Sequence, residues 1–152
     1  MKREIKFRVW CNNKGNWEKD LIAILPSGAL LHHQGYSQYK PCSIDTHIIQ
    51  QSTGLLDKNG KDIYEGDIVV ITIKENIGTF NVPDDIIANG GYTGRQDIYE
   101  GEVVYNLDLT SFGVEDKESG FIQFTKIENT FFEVIGNIYE SKHLLEVNNV
   151  KD

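Results

Sequence analysis

The chain is poor in the features that mark secreted, disulfide-linked or membrane proteins. It has two cysteines, three prolines and one methionine among 152 residues. Because Cys11 and Cys42 form no Cys-x-x-Cys pair, we expect reduced, inert thiols and a cytoplasmic location. The longest apolar runs, such as residues 21–25, are too short to span a bilayer. No uninterrupted apolar stretch follows the charged start at Met1, so we expect neither a signal peptide nor a membrane partner.

Sequence patterns of the common catalytic and phosphate-binding sites are also missing. No serine lies in a Gly-x-Ser-x-Gly arrangement. The glycine-rich segment 90–94 lacks the lysine and the following helix of a phosphate-binding loop. We therefore predict a protein that is not an enzyme, with no catalytic residues, no cofactor and no metal ligands.

Positive charge is scarce and lies mainly in the first part of the chain. The net charge is −8. Residues 1–61 carry nine Lys/Arg against five Asp/Glu, a balance of +4, whereas residues 62–152 carry six against eighteen, a balance of −12. Most of the chain would repel a polyanion, so a nucleic-acid partner is not expected. The asymmetry does permit head-to-tail association between copies of the chain.

One small basic group near the start supports an alternative hypothesis. Its members are Lys2, Arg3, Lys6 and Arg8. On a barrel face, such a patch together with exposed aromatic residues would bind nucleic acid through phosphate contacts and base stacking. An opening strand whose alternate side chains face solvent explains the same pattern, and we favour that interpretation.

Strand-forming residues are what the chain has in quantity. Seven Phe, seven Tyr and two Trp favour β-structure, as do several β-branched runs. Ile5, Phe7 and Val9 alternate with charged or aromatic neighbours, which predicts an opening strand with one buried face. Clusters of turn-forming residues then predict β-hairpins throughout an N-terminal region, residues 1–52.

The remaining residues, 53–147, are predicted to form the core of a small barrel within a single domain spanning 1–152. The most strand-like run is 68–73, whose β-branched residues indicate burial on both faces. Four more strands, forming an antiparallel meander or small barrel, are predicted at 99–107, 112–115, 121–125 and 130–138. A glycine-rich loop at about 75–95 is predicted to be an insertion, and a short helix is predicted within 139–147.

The most distinctive segment is 62–70, preceded by a turn. Asn59-Gly60 between apolar flanks predicts a hairpin with a type I′ turn, because both residues tolerate positive φ. Residues 62–69 recur in similar form at 97–104. We interpret both copies as a bend at glycine, Gly66 and Gly101, that leads into a core strand.

Three motifs, in order along the chain, give the sequence a family likeness. They are Phe7-Arg8-Val9-Trp10, the segment 53–69 that includes Asn59, Gly60, Ile63, Tyr64 and Gly66, and Gly136-Asn137-Ile138-Tyr139-Glu140. In these motifs the chain resembles the YopX family, small proteins encoded mostly by phages and prophages. The resemblance implies an SH3-like barrel with extra β-elements and a protein that self-assembles. It implies no catalytic residues, so we interpret the five central residues as structural.

Two further groups of residues are candidates for metal or acid–base chemistry. Glu65, Asp67, Glu100 and Glu102 would converge if the two Tyr-Glu-Gly segments paired, and would then share a proton or hold a divalent cation. A second group, with zinc-binding side chains, contains His32, His33, His47 and Cys42. It lacks the paired spacing of structural zinc sites, so we expect packed or solvated histidines. The acidic run 57–62 differs from a calcium loop in the position of its glycine, and a turn is favoured.

The leading functional hypothesis is therefore a phage-derived accessory protein that acts through protein–protein contacts as a homo-oligomer. Its other partner would be an unidentified phage or host protein. Nucleic-acid binding is the alternative, and an enzyme or a metal-binding protein with clustered carboxylates is the third possibility.

Overall fold

A computed structural model describes residues 4–19, 22–33, 35, 38–43, 45–74, 96–124, 130–141 and 143–146. Strands account for 62% of these residues and helix for 3%, so the prediction of a mainly β fold is confirmed. The predicted insertion at about 75–95 lies outside the described residues, as do Lys2 and Arg3. In the described part of the chain, no helix has the length and apolar character needed to cross a membrane.

The described strands form three antiparallel sheets. In chain order they are β1 (Phe7–Cys11), β2 (Asn16–Trp17), β3 (Ile22–Ile24), β4 (Leu30–His33), β5 (Tyr39–Cys42), β6 (His47–Leu56), β7 (Asp62–Tyr64), β8 (Asp67–Lys74), β9 (Gln96–Asn106), β10 (Ser111–Asp116), β11 (Gly120–Gln123) and β12 (Thr130–Asn137). Strand order is β2-β1-β6-β7 in the four-stranded sheet, β11-β10-β9-β8-β12 in the five-stranded sheet and β3-β4-β5 in the three-stranded sheet. A short helix, α1 (His143–Glu146), lies where a C-terminal helix is predicted.

The five-stranded sheet curls into a half-barrel and contains the main core. Strands β8 to β11 follow one another as a meander, and β12 then returns to pair with β8. Val69, Ile71, Val103 and Val114 are almost completely buried on its concave side. Ile63 of β7 joins them with no exposed surface, so the four-stranded sheet completes this core. Full burial of one such side chain contributes roughly 1.5–3 kcal/mol.

The turn between β6 and β7 is not of the predicted type. Gly60 has φ +81°, but Asn59 is not among the described non-glycine residues with positive φ. The Asp57 carboxylate accepts hydrogen bonds from the amides of Asn59 at 2.8 Å and Lys61 at 2.9 Å. An aspartate at the first turn position favours a type I turn followed by glycine, and this side chain therefore overrides the Asn-Gly preference. The hairpin itself is confirmed, with Leu56 opposite Asp62.

This turn also covers the free edge of β12. The Lys58 amide donates to the Phe132 carbonyl at 2.8 Å, and the Val134 amide approaches Asp57 Oδ2 at 3.4 Å. An edge strand otherwise presents unpaired amides and carbonyls to other chains. The turn therefore joins the four-stranded sheet to the half-barrel.

The interpretation of the repeated segment as two equivalent bends is wrong. Gly66 has φ +71° and lies between β7 and β8, as expected of a bend. Gly101 instead lies inside β9, with Val69 opposite it, and has no positive φ. A Cβ at Gly101 would lie 2.0 Å from the Glu115 carbonyl oxygen, so glycine is required there by the close approach of β10.

The predicted one-sided burial of the opening strand is also wrong. Ile5 and Phe7 are 65% and 42% exposed, whereas Trp10, on the face expected to meet solvent, is 6% exposed. Trp10 stacks on Tyr139 with ring centroids 5.4 Å apart and meets the edge of Trp17 at 5.1 Å. Since β1 lies between β2 and β6, and aromatic side chains cover its Trp10 face, simple alternation does not describe its burial.

Candidate metal centre and surrounding charged groups

Three potential metal ligands project from one side of the four-stranded sheet. Cys11 is the last residue of β1 and His47 is the first of β6, and the two are direct partners in the strand register. The Glu18 amide donates to the Val9 carbonyl at 2.9 Å, which places Glu18 opposite Val9 just beyond β2. Val9 and Cys11 are two positions apart and so share a face. All three side chains therefore lie on that face.

The geometry of this group is unusual within the described part of the chain. Its ligand atoms, a cysteine sulfur, a carboxylate oxygen and an imidazole nitrogen, all lie within 4.8 Å of one another. Among the described residues it is the one group of three or more His, Cys, Asp or Glu that meets this distance. Cys11 is 2% exposed, and so is the Glu18 side chain.

Cationic and polar groups surround the Glu18 carboxylate. Lys14 Nζ lies 2.8 Å from Oε1 and donates a hydrogen bond to Oε2 at 3.0 Å. His47 Nε2 is 3.6 Å from Oε1, and His32 Nε2, from the three-stranded sheet, is 3.9 Å from Oε2. Burial by itself would raise the pKa of Glu18, but hydrogen bonds from Lys14 and Cys11 outweigh it, so the pKa lies below its usual value. The carboxylate is therefore charged at neutral pH.

The other ring nitrogen of His47, Nδ1, contacts the residues that directly precede β6. Nδ1 lies 2.9 Å from Thr46 Oγ1 and 3.4 Å from the Ser43 carbonyl oxygen. In the tautomer with its proton on Nδ1, His47 would donate to this carbonyl or to Thr46 Oγ1, and Nε2, on the side of Glu18, would carry the lone pair that binds a metal ion.

Cys42 lies close enough to the same group to interact with its charges. Burial raises the pKa of the Cys42 thiol, and the nearby Glu18 carboxylate and Cys11 raise it further. Cys42 is on β5, directly opposite Leu30 of β4. Cys42 and His32 thus approach the group from the three-stranded sheet.

The structure brings together only part of the predicted histidine and cysteine set. His32 and His47 meet at Glu18, and Cys42 is nearby, whereas His33 packs edge-on against Tyr39 with ring centroids 5.2 Å apart. Sequence reasoning missed Cys11 and Glu18. Cys11 and His47 are far apart in the chain, and only the register of β1 on β6 makes them neighbours.

The described part of the predicted basic patch is engaged in ion pairs. Lys6 Nζ lies 2.9 Å from Asp62 Oδ2, and Arg8 donates to Asp67 Oδ1 at 2.5 Å. The Arg8 guanidinium also lies 4.2 Å from the Trp17 ring centroid. The predicted solvent-facing position is therefore wrong for Arg8, whose side chain is only 21% exposed. Both cations are compensated, which reduces the charge available to phosphate groups.

Asp67 is the centre of a buried polar network between sheets. Besides Arg8, its Oδ1 accepts a hydrogen bond from Asn137 Nδ2 at 3.2 Å, and its Oδ2 accepts the Tyr64 amide at 2.9 Å. Gln50 Oε1 accepts from Arg8 Nε at 2.8 Å and from Asn137 Nδ2 at 3.3 Å. Both carboxylate oxygens of Asp67 therefore have donors.

The predicted acidic group does not converge on one point. Strand β9 does pair with β8, but Asp67 is bound by Arg8, and Glu65 Oε2 accepts the Gln51 amide at 2.8 Å. No three carboxylates of the set lie within 4.8 Å of one another. Glu102 lies opposite Glu115 on β10, and its pKa is raised first by burial and then by that neighbour.

Comparisons with known proteins found a matching family model and similar solved structures. The family described as "YopX protein" matches residues 6–146. Among solved structures, protein YopX from Bacillus subtilis is 17% identical, with 88% of this chain and 91% of that chain covered and a TM-score of 0.47. Protein EF1440 from Enterococcus faecalis is 23% identical, with 95% and 99% covered and a TM-score of 0.45. No curated protein matches the chain.

Proposed function

The chain belongs to the YopX protein family, and we propose that it is a phage-derived accessory protein of the bacterial cytoplasm. In this proposal it catalyses no reaction and assembles into a homo-oligomer through protein–protein contacts. The carrying observation is a patch, called the outer face, on the side of the five-stranded sheet opposite Val69 and Val103. Only part of that side is free, since Ile68 on the same side is fully buried, and the patch combines exposed apolar side chains with partly buried, closely spaced carboxylates. Its members are Thr72, Ile98, Glu100, Glu102, Glu115 and Phe131.

The apolar part of the outer face is a row across three strands. Phe131 of β12 and Ile98 of β9 lie on either side of Thr72 of β8. Phe131 is 47% exposed and Ile98 is 61% exposed. Large exposed apolar side chains that adjoin one another are typical of interaction surfaces, where their burial would contribute to association.

The acidic part of the outer face favours a positively charged partner surface. Glu102 and Glu115 are directly opposite each other on neighbouring strands, an arrangement of like charges that destabilises an isolated sheet. Residues 1–61 have a balance of +4, so the complementary charge would come from that part of a second copy, where Lys6 and Arg8 are themselves engaged in ion pairs. Two different surfaces would then meet in a head-to-tail contact, and its repetition would generate a ring or a filament.

Light scattering at low and high salt tests self-assembly. We expect a multimeric mass at low salt that decreases as salt screens the charged contact. Ile98→Ser should weaken association at least about tenfold, equivalent to about 1.4 kcal/mol of binding energy. The matched control is Leu107→Ser, since Leu107 is 81% exposed but lies in the turn after β9. A strictly monomeric mass at low salt would overturn the proposal.

A further inference from the structure

We propose that Cys11, Glu18 and His47 bind one Zn²⁺ ion, with His32 supplying the fourth ligand from the three-stranded sheet. This site is separate from the outer face of the five-stranded sheet and does not depend on self-assembly. The proposal is carried by the convergence of three different ligand types within 4.8 Å, with Cys11 buried and Glu18 and His47 partly buried.

Backbone pairing places the three ligands on neighbouring strand positions. Directly opposite residues in an antiparallel pair have Cβ atoms about 4.5–5.5 Å apart, and Cys11 and His47 have this relation. Glu18 approaches from the other side of β1, just after β2. Three separate chain segments thus deliver one ligand each, and the hydrogen bonds between strands fix their spacing.

The ligand set fits zinc better than the hard cations. Zinc accepts thiolate, imidazole and carboxylate ligands at about 2.0–2.3 Å in tetrahedral geometry, whereas calcium and magnesium prefer oxygen ligands alone. Tetrahedral bonds of that length place ligand atoms roughly 3.5 Å apart. The ligand atoms of this group lie within 4.8 Å of one another, so binding zinc would require them to approach by at most about 1.3 Å, a shift within reach of side-chain rotation. The distance of 3.9 Å from His32 Nε2 to Glu18 Oε2 is already close to that spacing.

Two details of the site indicate a ligand beyond the protein's own hydrogen bonds. Glu18 Oε1 is buried and accepts no hydrogen bond, although the Lys14 ammonium lies 2.8 Å away. The Nδ1 side of His47 is held by Thr46 and Ser43, as is typical of zinc-bound histidines, whose second ring nitrogen binds a carbonyl or hydroxyl group. The Lys14 ammonium is then a competing cation that the metal displaces from the carboxylate.

Zinc in this position would have a structural role. Cys11, Glu18 and His47 belong to the four-stranded sheet and its edge, whereas His32 lies on β4. A bound ion would therefore join the three-stranded sheet to the four-stranded sheet. Metal binding to the folded state would add directly to the stability of that junction.

Cobalt is the probe of choice, because it reports a thiolate ligand by its absorption. The full chain is treated with chelator under reducing conditions and titrated with Co²⁺ and then Zn²⁺. We expect one equivalent of Co²⁺ to produce a thiolate-to-cobalt charge-transfer band, which Zn²⁺ abolishes because it binds such sites more tightly. Cys11→Ser should remove the band, and His47→Gln should weaken Zn²⁺ binding at least about tenfold.

Two further variants keep the test decisive if a ligand substitution disturbs folding. Lys14→Gln retains every ligand and removes the competing ammonium, so Zn²⁺ should bind several-fold more tightly. His33→Gln removes a histidine that packs on Tyr39 outside the group, and the affinity should not change. The proposal is overturned if the wild-type chain gives no charge-transfer band. It is also overturned if Lys14→Gln leaves Zn²⁺ affinity unchanged, or if Cys11→Ser keeps the band.

Discussion

Two buried carboxylates, Asp67 and Glu18, differ in how completely the fold satisfies them. Asp67 is 1% exposed, and both its oxygens accept hydrogen bonds, from Arg8, Asn137 and the Tyr64 amide. The Glu18 side chain is 2% exposed, yet one of its oxygens accepts no hydrogen bond. A buried charge is costly unless paired and hydrogen-bonded. The first site is thus fully hydrogen-bonded without a ligand, whereas Glu18 Oε1 is compensated by the Lys14 ammonium at 2.8 Å without a hydrogen bond.

The difference between the two carboxylates distinguishes a residue that stabilises the fold from a residue that is a candidate for binding a ligand. Asp67 belongs to the most distinctive sequence segment, and its network holds the four-stranded sheet against the half-barrel. Glu18 lies in a region without a recognisable motif and close to three other groups able to bind metal. The segment 62–70, which is the most distinctive in the sequence, therefore stabilises the fold, whereas the candidate site includes Glu18, which lies in no motif.

The largest effect is expected from Asp67→Asn. The substitution keeps the shape but leaves the Arg8 guanidinium, 21% exposed, without its counter-charge. Removing one partner of a buried ion pair costs about 3–5 kcal/mol, and we expect a loss of this size in the free energy of unfolding. Urea denaturation at neutral pH measures it. The exposed Asp108 provides the control, since Asp108→Asn should change stability by less than about 0.5 kcal/mol. Equal stability of the two variants would show that the network contributes little.

A somewhat smaller effect is expected from a substitution beside the same network. Gly66 has φ +71°, and a Cβ there would lie 2.2 Å from Gln50 Nε2. Gly66→Ala should therefore combine about 1–2 kcal/mol of backbone strain with the displacement of Gln50, for a total of about 3 kcal/mol. Gly60 has φ +81° with nothing within 4 Å of a Cβ, so Gly60→Ala should show the backbone cost alone. Thermal unfolding of both variants separates these contributions, and equal losses would argue against the network's rigidity.

Asp57 provides an intermediate case, a carboxylate satisfied mainly by backbone amides. Burial raises the pKa of Asp57, but hydrogen bonds from the amides of Lys61, Asn59 and Val134 lower it by more. The folded-state pKa therefore lies below the usual value. Its contribution is therefore present above the unfolded-state pKa of about 3.9 and disappears as pH falls through the folded-state value. Asp57→Asn should cost about 1–2 kcal/mol at pH 7. The difference from wild type should vanish in strong acid, as followed by urea unfolding across pH. A difference independent of pH would exclude the charge as its source.

The regular parts of the fold were predictable because their signals are local. Most strands of the half-barrel lie within a few residues of their predicted positions, since β-branched runs and glycine-containing turns specify them nearby in sequence. The Asp57 side chain changed the predicted turn type, although both signals are local. Strand β5 is less evident in the sequence, because its segment lacks alternation and contains Pro41, and prolines disfavour strands except at sheet edges, where β5 lies.

The candidate metal centre was not predictable, because it depends on register and not on spacing. His32 and His47 were identified within a possible zinc-binding group, with His33 and Cys42, and the group was set aside because it lacks the paired spacing of zinc sites. Their missing partners, Cys11 and Glu18, become neighbours only when β1 lies between β2 and β6. Likewise, the exposed position predicted for Arg8 failed because Asp67 is brought to it by pairing between distant strands. Long-range antiparallel pairing leaves no fixed interval between contacting residues for a sequence pattern to show.

The smallest effect on the metal-free protein is expected from Glu18→Gln, the counterpart of Asp67→Asn. The cost of burying the Glu18 charge offsets much of its attraction to Lys14, whose side chain is 49% exposed, so the loss should be below about 1 kcal/mol. Urea unfolding in the presence of chelator measures this difference. Added Zn²⁺ should then stabilise the wild-type chain and leave Glu18→Gln nearly unchanged, because a ligand that binds only the folded state raises its stability. A loss in chelator as large as that of Asp67→Asn would show that both carboxylates hold the fold together. The contrast between a fully and a partly hydrogen-bonded buried carboxylate would then fail.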